Sequence, residues 1–509
     1  MAWMRRNETT CQLLVAALLA LIALSYTDAA NPHGVPSIDS GTFLYLGMVI
    51  QHGGMPYADA FDHKGPLIYL INTLALGLGH WRMIAVFEGI ALAAALFFTF
   101  RIAWLRAGFF SSLAITTLCT WLMTRDMLDF GNLTEEYAMP WIALAALLFL
   151  RFFQTGELGR RALFFIGFSL SMMVALRPNM IAVWTVGIPM TVWLLARQKC
   201  LRQGILWAFG GFAAGLAPFL LWLAAHGALT ACWEAYIVFN LHYTHRYLEL
   251  VQQLVPAENR APASMMGRYP VFVLFAKKGA WQSAALCLLA MAWQRQWRDG
   301  AAWAALVMLL LGLLLNSMSA MPFGHYGMAV LPTLAYPLAV FCSAVERLHV
   351  RSVPAGRYAL MLGSVAFAVS VAVSSVEGYI ARCHQPQTPE NIHMYEAASY
   401  IRSHTSSDDR ILVCGIQTAV YPLSGRLAAS RYSYQFPIVY LEPERRAEFL
   451  EEINASLPKM IIARNPMPKY EPEELEAFMQ VHGYEPDPGY AGTEDLTIYV
   501  QSSGLNDRP

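Results

Sequence analysis

Apolar positions along this chain gather into long uninterrupted runs separated by short polar segments. Runs of about 16 to 22 residues, near the length a helix needs to cross a bilayer core, occupy 11–27, 83–100, 107–124, 138–153, 161–176, 180–196, 204–225, 279–294, 300–316, 326–346 and 357–378. The pattern predicts eleven membrane-spanning helices. A further run, Leu67 to Gly79, has only about 13 residues, which suits a re-entrant or interfacial helix better than a span.

Charge decides how that short run is read. If it does not cross, the inner loops carry Arg5/Arg6, Arg101/Arg106, Arg151/Arg160/Arg161, Arg197/Lys199/Arg202, Arg295/Arg298 and Arg347/Arg351/Arg357. Every inner loop is then basic, as the positive-inside rule requires. If it crosses, every later basic loop moves outside. The expected topology therefore has a cytoplasmic N-terminus, an uncleaved first span, and an outer loop over 27–82 containing short interfacial helices. Within that loop, Ser40 to Gln51 reads as an amphipathic helix whose Phe43, Leu44, Leu46, Val49 and Ile50 rest on the membrane.

From about residue 380 the pattern changes. Charges and prolines become frequent and no span-length run remains. Ile411 to Gly415 and Met460 to Ala463 read as short buried strands. Asn391 to Ser403, Glu442 to Ile453 and Pro472 to Val481 read as amphipathic helices. Strands alternating with helices suggest a small α/β domain over 380–509, placed outside by the outward direction of the last span. The fold class expected is a polytopic α-helical membrane protein of about eleven spans over 1–379, followed by this extracytoplasmic domain.

Composition sharpens the membrane reading. The 509 residues are 56% hydrophobic and 14% charged, against roughly 25% charged in soluble domains. The formal net charge is zero, and without a basic stripe no nucleic-acid partner is indicated. Eight cysteines are scattered with no C-x-x-C pair, so neither a zinc site nor a disulfide framework is signalled. Asp126 with Asp129 is a weak candidate for a divalent ion, and no cofactor is called for.

The remaining ionisable groups cluster in the predicted outer loops. They are Asp39, Asp62-His63-Lys64, Arg82, Arg125-Asp126, Asp129 through Glu135-Glu136, Arg177, Glu234 to Arg268, and Pro322 to Tyr326. Ionisable groups gathered on one face of a membrane protein mark a functional surface. Transfer of a sugar from a lipid phosphate needs a base for the acceptor proton and cations for the departing phosphate. Asp39 suits the first role. Lys64, Arg82, Arg125 and Arg177 suit the second. Asp62, His63, Glu135, His325 and Tyr326 complete the candidate substrate-binding set. Each also has a plain structural reading. Asp39 could cap the 40–51 helix, Asp62 could neutralise Lys64, and Glu135 or Glu136 could cap the fourth span. Arg82 and Arg177 could snorkel, and His325-Tyr326 could belong to an aromatic belt.

Asp39, the Asp62-His63-Lys64-Gly65-Pro66-Leu67 run, Gly131-Asn132-Leu133-Thr134-Glu135-Glu136, Arg177-Pro178-Asn179 and Gly324-His325-Tyr326 together resemble the bacterial GT-C glycosyltransferases. The nearest by pattern are family 39-like enzymes, which include protein O-mannosyltransferases and the lipid A aminoarabinose transferase. The resemblance covers about residues 1–345. It implies a GT-C fold, Asp39 as catalytic acid/base, Lys64 as the phosphate contact, and a polyprenyl-phosphate sugar as donor. It also implies an extracytoplasmic acceptor and a multi-pass protein of the inner membrane. Two departures point away from protein mannosylation. Ser40 follows Asp39 where mannosyltransferases pair Asp with Glu, and Asp-His-Lys-Gly-Pro-Leu replaces their His-Pro-Pro-Leu-Gly-Lys. The competing classes are a transporter or flippase, which would carry inverted repeats and midplane charges, and a scaffold that recruits a partner.

The basic-loop pattern predicts that cysteines introduced beyond residue 380 react with an impermeant thiol reagent in intact cells. Reaction only after permeabilisation would reverse the topology.

Overall fold

The computed structural model describes residues 7–254, 279–317, 323–350, 352–415, 417–464, 473–490 and 496–502. All eleven apolar runs fall on helices. Among the described residues, six helical segments are long and apolar enough to cross a membrane: Trp81–Trp104, Thr134–Thr155, Leu201–Ala225, Gly300–Ser317, Gly324–Glu346 and Ala355–His384. Glu8–Leu24, Ala182–Arg197 and Trp281–Trp293 are apolar but shorter. The chain is a multi-pass membrane protein; eleven crossings remain a reading of the sequence pattern.

The chain divides into two compact units that interleave along the sequence. The first comprises 1–31, 85–221 and 264–384; the second comprises 32–84, 222–263 and 385–509. The sequence suggested one boundary, at 379/380. In the structure most of the 27–82 loop instead groups with the C-terminal segment.

The first unit is built from the long helices. Small residues let two of them approach closely. A Cβ added at Gly167 would lie 1.8 Å from the Ala208 carbonyl oxygen, and one at Gly211 would lie 1.9 Å from that of Phe164. Backbone-to-backbone packing of this kind is how helices associate where no hydrophobic drive separates them from lipid.

In the second unit, Ile38–Gln51 packs against the 12-residue helix Pro66–Gly77. Gln51 Nε2 donates to the Thr73 carbonyl at 3.0 Å, and a Cβ at Gly47 would stand 2.8 Å from Thr73 N. The expectation of an amphipathic helix resting on the membrane is corrected here. Ser40 to Val49 are all buried, because the C-terminal segment covers what the short helix leaves open. Thr42 and Thr418 hydroxyls pair at 3.0 Å, and the Ala428 N–H donates to Tyr45 Oη at 3.1 Å.

The C-terminal segment carries a five-stranded mixed sheet, in order β2-β1-β3-β5-β4. β1 (Arg410–Val413) and β3 (Met460–Arg464) are parallel and central, with Leu412 opposite Ile461. Their unbroken apolar runs are the signature of strands covered on both faces. β2 (Leu427–Ala428), β4 (Tyr484–Pro486) and β5 (Leu496–Gln501) are not foreseen by the sequence reading. Two are very short, and β5 alternates buried with half-buried positions.

Gly47→Val is expected to destabilise the second unit by about 1–3 kcal/mol through overpacking, read as a lower thermal midpoint of the detergent-purified chain. Gly363→Ala is the control, since an added Cβ there meets nothing within 4 Å. Equal midpoints for the two variants would refute the close approach.

Candidate functional site

The loop between Ile38–Gln51 and Pro66–Gly77 is wound tightly. Tyr57 takes a left-handed φ of 71°, its N–H reaches the Ala60 carbonyl at 2.7 Å, and Met55 N–H donates to Asp59 at 2.6 Å. The Phe61 N–H then donates to the Arg431 carbonyl at 2.8 Å. Gly65 and Pro66 start the next helix, with proline at its first turn, where a missing N–H costs nothing.

This winding buries Asp62, which is 2% exposed. Its two carboxylate oxygens are taken by two tyrosines: Tyr434 Oη donates to Oδ1 at 2.8 Å and Tyr69 Oη to Oδ2 at 2.9 Å. Hydrogen bonds to a charged acceptor are about twice as strong as neutral ones, and they replace the hydration that burial removes. Burial, then the Asp62 charge, holds both tyrosines well above their ordinary range.

His63 and Lys64 follow in series. His63 Nδ1 lies 3.4 Å from Asp62 Oδ1, and its ring packs on Tyr243 at 4.8 Å and Phe239 at 5.4 Å. Asn240 Nδ2 fixes the His63 carbonyl at 2.7 Å. Lys64 Nζ lies 2.9 Å from His63 Nε2. An ammonium can only donate, so Nε2 accepts and the ring proton sits on Nδ1, facing Asp62. The Lys64 carbonyl accepts from Tyr57 Oη at 2.8 Å. The lysine backbone is fixed and the residue is half-buried. Asp62 is thus the anchor of this loop; its plain reading as a neutraliser of Lys64 gives way to a chain running through His63.

Asp39 is half-buried in the first turn of Ile38–Gln51, one residue past its start. Ser37 occupies the cap position, so the capping role considered for Asp39 is corrected. Its negative charge is among those acting on Tyr434, which joins it electrostatically to the Asp62 centre.

The first unit gathers a second cluster. Asp129, Phe130, Gly131 and Asn132 all have positive φ, from 42° to 90°. Such a turn is costly for non-glycine residues and persists only where its surroundings enforce it. Glu88 enforces it by accepting the Asn132 N–H at 2.5 Å, while the Phe130 carbonyl accepts from Asp28 N–H at 2.8 Å. At Gly131 a Cβ would lie 2.4 Å from Glu88 Oε1. The turn delivers Asp129 to His325 Nδ1 at 2.9 Å. It also starts the helix on which buried Glu135 pairs with Arg177. The Arg177 guanidinium stacks over Tyr326 at 4.2 Å. Glu135, Arg177, His325 and Tyr326, widely separated in sequence, meet here.

Two candidates join neither cluster. Arg82 spends its guanidinium on the Pro32 and Gly34 carbonyls, both at 3.0 Å, and over Trp81 at 4.8 Å. Arg125 stacks over Trp121 at 5.2 Å. Pro322 and residues 255–268 of the longer outer loop lie outside the described residues. Among the described residues no group of three or more His, Cys, Asp or Glu side chains could hold a metal ion. The sequence reading missed Tyr69, Tyr434 and Glu88, and weighed Asp129 only as a metal partner of Asp126. Tyr69 carried a faint signal by lying beside a motif already singled out. Tyr434, 372 residues from Asp62, carried none.

The architecture has known counterparts. ArnT from Cupriavidus metallidurans bound to undecaprenyl phosphate superposes with a TM-score of 0.61 at 13% identity, over 97% of this chain and 98% of that one. Its apo form gives 0.60 at 12% identity, over 96% and 98%. The Archaeoglobus fulgidus oligosaccharyltransferase complexed with Zn and sulfate gives 0.52 at 13%, over 96% and 73%. This chain has the GT-C fold. Residues 7–224 match a family model described as the competence-induced Ccs4 N-terminal domain. No curated protein matches the sequence.

Tyr434→Phe leaves Asp62 Oδ1 without its nearest donor and should cost about 1–3 kcal/mol, read as a lower unfolding midpoint. The two tyrosines also predict a pH dependence. Their folded ionisation lies well above the ordinary value of 10.0, so the stabilisation is complete below about pH 10 and is lost as pH rises through the folded value. A thermal midpoint in Tyr69→Phe/Tyr434→Phe that fell as steeply above pH 10 as in wild type would refute this.

Proposed function

We propose that the chain is an integral membrane glycosyltransferase that moves a sugar from a polyprenyl-phosphate donor to an extracytoplasmic acceptor: an envelope glycan, lipid or protein. The observation that carries this reading is the Asp62-His63-Lys64 chain, which presents one ammonium in the same compact unit as the half-buried Asp39. The GT-C fold supports it, as does the ArnT structure, which holds undecaprenyl phosphate.

In the proposed step the acceptor hydroxyl or amine attacks the anomeric carbon. A new bond forms there while the bond to the donor phosphate oxygen breaks. Asp39 takes the acceptor proton and Lys64 pairs with the developing charge on the polyprenyl phosphate. His63 Nε2 accepts a hydrogen bond from the Lys64 ammonium and steers it without neutralising it, while Asp62 holds His63 through tyrosine-capped charge. The reaction faces the outer side of the inner membrane, with the N-terminus cytoplasmic. Arg177, locked to Glu135 and Tyr326, is better suited to shaping a substrate wall in its own unit than to gripping phosphate.

Purified wild type, Asp39→Asn and Lys64→Ala are compared with a polyprenyl-phosphate sugar in matched detergent. Loss of a general base should lower turnover by about 100-fold or more. As a mere first-turn acid, Asp39 would contribute only about 0.3–1 kcal/mol through the helix dipole, too little to affect turnover comparably. Lys64→Ala should lower donor use by roughly 10- to 150-fold, the value of a charged hydrogen bond. Near-normal turnover in Asp39→Asn removes it from the mechanism.

A further inference from the structure

Behind the Asp62 loop, within the same unit, lies a cavity of about 180 Å³ that none of the chemistry above uses. That is space on the order of six waters at liquid density, the scale of one sugar ring rather than of a lipid chain. Tyr57, Phe61, Arg431 and Arg445 are among its lining residues. Four carboxylates also line it: Glu234, Glu442, Glu444 and Glu448.

The two guanidiniums are already neutralised. Arg445 Nε donates to Glu442 at 2.5 Å and Arg431 pairs with Glu448 at 3.1 Å. Both are also held in place by aromatic faces. Arg445 sits 4.4 Å above Phe61 and 4.8 Å above Phe239, and Arg431 lies 5.0 Å from the Tyr432 ring. Glu442 is shared with Arg246, and Glu234 and Glu444 add two exposed carboxylates, which leaves the surroundings net acidic. A phosphate is disfavoured in such a field. What remains is a preorganised set of acceptors and donors for hydroxyl groups. One donor is unused: Arg431 Nε is buried and makes no hydrogen bond among the described residues. The backbone supplies a second pointer. Glu234 and Ala235 lie on a π-helical segment, Trp233–Val238, a distortion that recurs at functional sites.

We propose that this cavity binds a carbohydrate ring lacking anionic groups, and that it is the acceptor subsite of the transfer reaction proposed above, on which that second assignment rests. Tyr57 connects the two sites, since it lines the cavity while its hydroxyl donates to the Lys64 carbonyl. A sugar seated there would lie beside the Asp62 loop.

Direct binding tests the cavity independently of transfer. Saturation-transfer NMR on the detergent-purified full chain uses glucosamine, methyl glucoside and glucose 1-phosphate as probes. Glucosamine and methyl glucoside should bind and compete with each other, and glucose 1-phosphate should bind at least about 10-fold more weakly. Glu234→Gln/Glu444→Gln alters only exposed side chains, so folding should be unaffected. It should weaken glucosamine several-fold and narrow the gap to glucose 1-phosphate. Binding should persist in Lys64→Ala. Absent binding of the first two probes, equal binding of glucose 1-phosphate, or an unaltered profile in the double variant overturns the site. If wild type transfers no sugar from the polyprenyl-phosphate donor while the sugars still bind as expected, the transfer reading falls and the carbohydrate site stands.

Discussion

A single buried carboxylate organises the second unit. Asp62 is removed from water at a position where an unpaired charge would cost several kcal/mol, and the fold answers with two tyrosine hydroxyls rather than a cation. That choice has consequences. A cation would have neutralised Asp62 and ended its influence. Two neutral donors leave the full negative charge in place, so it still acts on His63 at 3.4 Å. The imidazole sets its other nitrogen 2.9 Å from Lys64 Nζ.

The same constraint ties together two of the unit's three distant stretches. Tyr69 comes from the helix that follows Asp62, but Tyr434 comes from the C-terminal segment. The C-terminal segment must therefore pack on the loop for Asp62 to be satisfied. The Thr42–Thr418 and Tyr45–Ala428 hydrogen bonds and the Phe61–Arg431 backbone link fasten it there. The terminal sheet is structurally part of the loop's environment, and the role the sequence left open for it includes completing the Asp62 centre.

The limits of the sequence reading follow from the range of each interaction. Helix positions were legible because apolar runs are local and long. The Asp62-His63-Lys64 run stood out because charge is rare in so apolar a chain. The meeting of Glu135 with Arg177, and of Asp129 with His325, was half legible: the residues were conspicuous but their pairing was not. Tyr434 was invisible, since nothing local distinguishes it from the other tyrosines. The burial of Ser40 to Val49 was misread for a related reason. Its apolar side chains fit a membrane surface as well as a protein core, and only the covering by the short helix and the C-terminal segment decides between them. The strands of two or three residues fell below any periodic signal, because a period of two needs several residues to be seen.

The two clusters show how differently a charged side chain can be used in one fold. Arg177 is matched by a carboxylate and an aromatic face, so approaching a phosphate would mean sharing or breaking the Glu135 pair. Arg82 is consumed by backbone carbonyls, and its loss would loosen residues 32–34 rather than a ligand. Lys64 has a single neutral side-chain contact, an imidazole nitrogen, at its charged end. A neutral partner orients without cancelling, and a compact ammonium on a flexible stem can follow a phosphate that moves as its bond to the sugar lengthens. The proposal that Lys64 meets the phosphate therefore has support beyond its place in a motif, from what its immediate neighbours leave unneutralised.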